Sequence, residues 1–427
     1  MDRLSDFLED NRDELVTTLA RLVRTETTNP YSGDANPSGE AAGQEVLAEL
    51  ISDLGAEVQL FDCPADIYDR MGVLGPRNRC FEGRPNLVAD LRLPAPGPTI
   101  VINGHMDTVG VDNMTIPPLA AEVRDGWMWG RGTSDCKGGL TIAVWALRAL
   151  LSAGRDLGGR VILESVVDEE CNGSGAGTLA CLDRGYSGDV AVFVDGYDGR
   201  ISRGCYGCLT AQVTVEGREG HAASGTGVSA LEKALVVKRG VDEFKLRRET
   251  LYPDARVNIG VFRAGVHPAV VPGAAEMQLN IVYRLEDARG SVEAGHPWGA
   301  GALREDFAAA VAAAAERDEW LREHSPRVGW IKDLIPFEEP EGGPWLQALQ
   351  EAYRVAVGQE AALDFMIGWT DASYYSALGR VPTFLIGPSA DGQAHSPDEA
   401  VEIEALLRSA KALAAFLAGA LGPDGGA

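Results

Sequence analysis

The sequence predicts an α/β protein, with a catalytic domain whose mostly parallel central sheet is flanked by helices and interrupted by a smaller α+β domain. Three observations carry that expectation. Its 427 residues exceed what one ordinary core accommodates, so two domains are expected. Up to about residue 202, short apolar runs alternate with stretches of helical periodicity, the rhythm of strand–helix–strand units. That rhythm breaks after about residue 202 and returns from Trp345, as it would if one domain interrupted another.

The elements follow in chain order. Apolar residues at three-and-four spacing predict helices around Leu4–Val23 and Glu40–Leu54. The Pro/Gly-punctuated stretch from Cys63 to Pro85 supports no assignment. Asn86–Leu91 and Thr99–Asn103 read as strands, Gly138–Leu151 as a helix, Val161–Val167 as a strand, Ala176–Leu182 as a helix and Val190–Val194 as a strand. Ala121–Gly130, with Asp125-Gly126 at its middle, reads as an inserted hairpin. A different order follows: strand Leu209–Glu216, helix Val228–Phe244, strands Arg256–Phe262 and Glu276–Tyr283, and helix Glu305–Glu323. The closing part has a helix from Trp345, strands Phe365–Ile367 and Thr383–Ile386, and a helix from Glu402. The expected division is residues 1–202 and 336–427 for the catalytic domain and 203–335 for the insertion.

Composition narrows the function. Apolar residues at 45% and charged residues at 24% exclude a mostly disordered chain. No apolar run reaches the roughly 18–20 residues of a membrane span, and the acidic amphipathic start has no signal-peptide character. A cytoplasmic protein with no membrane association is expected. The net charge of −25 repels phosphate backbones and argues against nucleic acid as a partner. Seven cysteines in such a chain read as reduced thiols. Cys205-Tyr206-Gly207-Cys208 has redox-motif spacing but lacks a thioredoxin-like setting.

The chemistry sits where the strands end, since ligands gather at the carboxyl edge of such sheets. Asn103-Gly104-His105-Met106-Asp107 ends one strand, and Arg131-Gly132-Thr133-Ser134-Asp135-Cys136-Lys137-Gly138-Gly139 leads into a helix. Asp168-Glu169-Glu170, Asp195-Gly196 and Ala394-His395-Ser396-Pro397 follow three more strands. Singly, each has an ordinary explanation as a core histidine or solvated cap. Five at five strand ends of one sheet form a carboxylate cluster that repels itself unless cations neutralise it. A pair of divalent metals does so, and imidazole plus carboxylate suits Zn²⁺, with Co²⁺ or Mn²⁺ as alternatives.

The strings NGHMDTV, GRGTSDCKGG, VVDEE, VDG and AHSPDE, in that order over nearly the whole chain, resemble the dinuclear-zinc amidohydrolases that include aminoacylase, acetylornithine deacetylase, succinyl-diaminopimelate desuccinylase and glutamate carboxypeptidase. The resemblance implies an α/β catalytic domain with an inserted four-stranded lid through which many members dimerise. It assigns His105 and Asp195 to one zinc, Glu170 and His395 to the other, and Asp135 to a bridge between them. Asp107 would accept the second ring N–H of His105, and Glu169 would be the general base. His221 in Gly220-His221-Ala222 resembles the lid histidine that reaches the partner subunit's site and polarises the scissile carbonyl. Asn258 in Val257-Asn258-Ile259-Gly260 resembles a substrate-holding asparagine, and Arg203-Gly204 a hinge into the lid.

The pattern also departs from its relatives. A lid arginine that reads a substrate carboxylate is replaced by Val282, counted from the Val270-Val271-Pro272 turn, and a second arginine by Ser373. Arg284 would share the Val282 face if the strand continued, and Trp369 and Thr370 stand beside Ser373 as further candidate substrate contacts. With neither usual guanidinium in place, the substrate is expected to be bulkier, apolar or amidated at its carboxyl end. The expected activity is hydrolysis of a C–N amide bond in a small N-acyl amino acid or related amide. A dipeptidase or carboxypeptidase on the same site is the alternative, and a catalytically silent metal-binding relative a third reading. His267, His296 and His324 read as ordinary surface histidines, and Cys136 and Cys171 as thiols buried beside the site.

Overall fold

The computed structural model describes residues 2–154, 156–171 and 173–423. Its largest sheet runs in the order Glu57–Asp62, Pro85–Arg92, Gly158–Val166, Ala95–His105, Val190–Phe193, Thr383–Leu385, Arg200–Cys205 and Phe337–Glu338, with Ala362–Met366 also paired to Arg200–Cys205. The four strands from Gly158–Val166 to Thr383–Leu385 run parallel. Both flanks add antiparallel pairs. Parallel strands need both faces covered, and Val190–Phe193 is buried along its whole length. One face packs on Arg12–Arg24, Lys137–Ser152, Pro344–Val357 and Ile403–Ala420, the other on Ile67–Met71, Ala176–Asp183 and Ala372–Ala377.

Residues 207–334 build a second sheet in the order Val257–Ala264, Ala274–Tyr283, Gly207–Glu216 and Arg327–Leu334, antiparallel throughout. Leu209, Ala211, Val213 and Val215 alternate inward with Met277, Leu279 and Ile281 against the helices Ala230–Leu251 and Gly301–Ala315. The alternate set, including Thr210, Asn280 and Val282, faces the catalytic half, as the period of two requires.

Several expected elements are redrawn. Leu4–Val23 is two helices, Asp2–Asp10 and Arg12–Arg24, separated at Asn11. Glu305–Glu323 is also two, because Asp318 breaks the run and caps Glu319–Glu323 by accepting the Leu321 amide. The unassigned Cys63–Pro85 stretch holds the short helix Ile67–Met71. Arg284 does not continue its strand: Ala274–Tyr283 stops one residue earlier and Arg284 becomes the N-cap of the helix Leu285–Glu293.

Candidate active site

His105 is the last residue of Ala95–His105 and is almost fully buried. Its Nδ1 lies 2.8 Å from the Asp107 backbone carbonyl and its Nε2 2.8 Å from Asp135 Oδ1. A carbonyl only accepts, so Nδ1 carries a proton; the Asp135 carboxylate only accepts as well, so Nε2 donates to it here and would offer its lone pair only to a cation placed between the two. This corrects the expected role of the Asp107 carboxylate, which stands 3.8 Å from the ring. That carboxylate instead accepts from Asn29 Nδ2 at 2.8 Å and from the Glu170 and Glu169 amides at 3.1 and 3.4 Å. It ties the histidine strand to the Glu169-Glu170 turn.

Asp135 comes from a different place than expected. Its loop follows the Glu122–Arg124/Trp127–Trp129 hairpin of a separate three-stranded sheet and ends at the helix Lys137–Ser152. It is therefore not at a strand end of the main sheet. Glu399 holds the loop, accepting the amides of Gly132, Ser134 and Asp135 at 3.1, 2.8 and 3.1 Å and pairing with Arg131 at 2.8 Å. The Asp135–Cys136 peptide is cis.

Glu169 and Glu170 ride on a turn whose flanking residues, Asp168 and Cys171, have φ of 66° and 55°. Left-handed backbone at non-glycine residues persists only where surroundings fix it. Here Tyr68 Oη, Arg79 and Arg84 hold the Asp168 carboxylate at 2.8, 3.2 and 3.3 Å. The unassigned Cys63–Pro85 segment thus clamps the turn that presents the acids. His395, itself at φ 62°, places Nε2 2.9 Å from Glu170 and 3.2 Å from Asp135. Asp195 follows Val190–Phe193 and joins the cluster beside His105 and Cys136.

The electrostatics show a site short of positive charge. Burial, reinforced by Asp135, pushes Glu170 up to about 7, and the same causes raise Asp195. Burial raises Glu169 well above the carboxylate range; His105 opposes this, while Glu170, Asp371 and Asp195 add to it. His395 is pushed up to about 11 by its hydrogen bonds to Asp135 and Glu170. His105, Asp135 and Glu170 each bring a ligand atom within 4.8 Å of the others, and so do His105, Cys136 and Asp195. Two donor groups that share His105, one of nitrogen and oxygen and one that adds the Cys136 sulfur, fit divalent cations of borderline hardness.

Two cavities meet at this cluster. The smaller, about 100 Å³, is lined by Asp135, Glu169, Glu170, Asp195 and His395 together with Tyr197 and Trp369. The larger, about 580 Å³, runs from Glu169, Glu170 and His395 past Trp369 to the open face of the second sheet, where Thr210, Asn280, Val282 and Lys332 line it.

The remaining sequence candidates divide. Trp369 lines both cavities and donates Nε1 to Ile335 O and Ser373 Oγ at 3.2 and 3.1 Å, so Ser373 positions the indole. Thr370 is buried and lines neither cavity. Asn258 is exposed and pairs in register with Asn280, which does line the large one. Arg284 is absent from both linings: its guanidinium lies 3.3 Å from Glu286, 3.7 Å from Asp254 and over the Tyr206 and Tyr252 rings. The helix start at Leu285 turned it away. His221 is exposed in a two-residue ladder with Val270–Val271 and lines neither cavity.

Sequence reading missed Asn29, Glu399, Lys332 and the Tyr68–Arg79–Arg84 clamp. Glu399 alone carried a signal, as the last acid of the AHSPDE string. No helix among the described residues is long and apolar enough to cross a membrane.

The model of peptidase family M20/M25/M40 matches residues 101–419. The chain is 27% identical to the N-formyl-4-amino-5-aminomethyl-2-methylpyrimidine deformylase of Halalkalibacterium halodurans, over 98% of this chain and 96% of that one. The crystal structure of a tripeptidase from Staphylococcus aureus superposes with a TM-score of 0.72 at 19% identity, covering 95% of this chain and 98% of that one. A dinuclear metal binding peptidase of the M20 family from Bacillus subtilis superposes with a TM-score of 0.64 at 16% identity, covering 96% and 98%.

Proposed function

Because this chain belongs to peptidase family M20/M25/M40, and so is a hydrolase of amide or peptide bonds, we propose that it removes a small acyl group from an N-acyl amine through a dinuclear metal site. The convergence of two histidines and three carboxylates on one point carries the reading. His105 and Asp195 would hold one cation, Glu170 and His395 the other, with Asp135 shared between them. Zn²⁺ is the metal the donor set favours. Bound cations would polarise the amide carbonyl and lower the pKa of a water.

The chain's own groups do the rest. Glu169 reaches both cavities, takes the proton of the attacking water and delivers it to the leaving nitrogen. Asp107 positions that glutamate by holding its amide, and the His105 tautomer is fixed by the carbonyl beside it. Trp369 walls the scissile bond. A homodimer through residues 203–335 would bring His221 of each chain to its partner's site, where the ring would polarise the carbonyl.

Likeness over nearly the full length to a deformylase favours deacylation over peptide cleavage. The test is amine release from N-formyl, N-acetyl and N-succinyl amines and from dipeptides, by Zn²⁺-loaded and chelator-treated protein. Chelator-sensitive release from acylated amines is expected; release from dipeptides alone would move the protein to the peptidase reading.

A further inference from the structure

The large cavity has a second end, and one residue there has no counterpart in the chemistry described so far. Lys332 is 7% exposed, lies on Arg327–Leu334 and lines the cavity. It is one of only six lysines in the chain. Among the described residues its ammonium has no hydrogen-bond or ion-pair partner. The neighbouring acid does not serve it: Asp333 points to the other face, where it holds Tyr283 Oη, the Ala300 amide and Arg304. Its Nζ keeps access to the cavity, and with no partner of its own the cation is free to meet a ligand there.

Its placement comes from a bulge. Trp330 pairs with Ala211 on the core face, and strict alternation would put Ile331 opposite Thr210 and turn Lys332 back into the core. The register slips between Trp330 and Lys332, so that Lys332 pairs with Thr210 instead. A bulge re-aims the side chain that follows it, and here it swings an ammonium out of the core face and into the cavity.

The result is a row across all four strands. Asn258 pairs with Asn280, Asn280 with Thr210, and Thr210 with Lys332. Residues so paired lie on one face at strand spacing, about 4.8 Å per step. The row offers hydroxyl, amide and ammonium donors to whatever fills the cavity that Glu169, Glu170 and His395 also line. Burial holds Lys332 below the ordinary lysine range, and Cys208 and Glu169 oppose that shift.

We propose that Lys332, at the head of a row with Thr210 and then Asn280, binds a carboxylate carried by the substrate at the end remote from the scissile amide. The assignment rests on the amide-hydrolase reading of the site and adds the class of group that the substrate carries. It also revises the expectation of an apolar or amidated end: the cation is present, but on a different strand from Val282. The carboxylate could belong to the amine portion, as in an N-acyl amino acid, or to the acyl portion, as in a succinyl amide.

The test uses metal-loaded Glu169→Gln protein, so that ligands stay intact, and measures binding by calorimetry. Two pairs are compared: an N-acetyl amino acid with its carboxamide, and an N-succinyl alkylamine with its succinamide. The acid of one pair is expected to bind at least about tenfold tighter than its amide, as an ion-assisted hydrogen bond gives. Adding Lys332→Met should erase that preference while leaving amide binding unchanged, and Lys332→Arg should keep most of it. Which pair responds locates the carboxylate. No acid preference, a preference that survives Lys332→Met, or equal weakening of acid and amide would each overturn the proposal. Because binding is read without turnover, a failure to hydrolyse amides would show separately, in the amine-release assay with Glu169 intact.

Discussion

The two ends of the large cavity are built by opposite strategies. At the catalytic end the acids that frame the site are tethered: Asp107 accepts three donors, Asp168 three, and Glu399 four. At the lid end Lys332 has no tether among the described residues, and only a register slip directs it. Reacting groups need fixed positions within fractions of an ångström, whereas a group that recognises a ligand must keep its valence free until the ligand arrives. The first end therefore spends its hydrogen bonds inward, and the second withholds them.

Experiments that break this contrast differ in size. Glu169→Gln should lower kcat about 10²–10⁴-fold, the usual worth of a general base, with two metals per chain still found by elemental analysis. Glu399→Ala should come next. It strands Arg131 in the core and frees the Asp135 loop, so the loss of stability should be about 3–5 kcal/mol, read by denaturant titration, with lower metal occupancy. Lys332→Met should do the opposite to stability: replacing an unpaired buried cation with an apolar chain leaves the midpoint unchanged or raises it. A drop of several kcal/mol there would mean that Lys332 is a structural member of the sheet.

Mixing His221→Ala with Glu169→Gln protein sharpens the comparison at the subunit level. Each mixed dimer holds one intact pair of groups, so random exchange should restore about a quarter of the original activity; no recovery would place His221 outside the site. Smallest of all is Arg284→Ala. Its guanidinium is partly exposed and engaged by Asp254 and Glu286, so KM for acids should stay within about twofold and stability within about 1 kcal/mol.

The same contrast explains what was legible in the sequence. His105, Asp135, Glu170, Asp195 and His395 stand in short strings at element ends, where local chain direction decides where a side chain goes. The α/β class was legible separately, from the strand–helix rhythm between those strings. Asn29 and the Arg79–Arg84 clamp act across long sequence separations, and nothing local marks them. Arg327–Leu334 went unread because its bulge destroys the period-two signal that identifies a strand, and the same bulge hid Lys332. Arg284 failed for a related reason, since the strand ends at Tyr283 where a helix cap begins.

The most direct test of the division between chemistry and selection is a separation of kcat from KM on one N-acyl substrate bearing a carboxylate. Glu169→Gln should lower kcat with KM little changed, while Lys332→Met should raise KM about tenfold with kcat little changed, as lost uniform binding requires. If both substitutions lowered kcat alike and left KM untouched, the lid face would belong to the chemistry, and the division would be wrong.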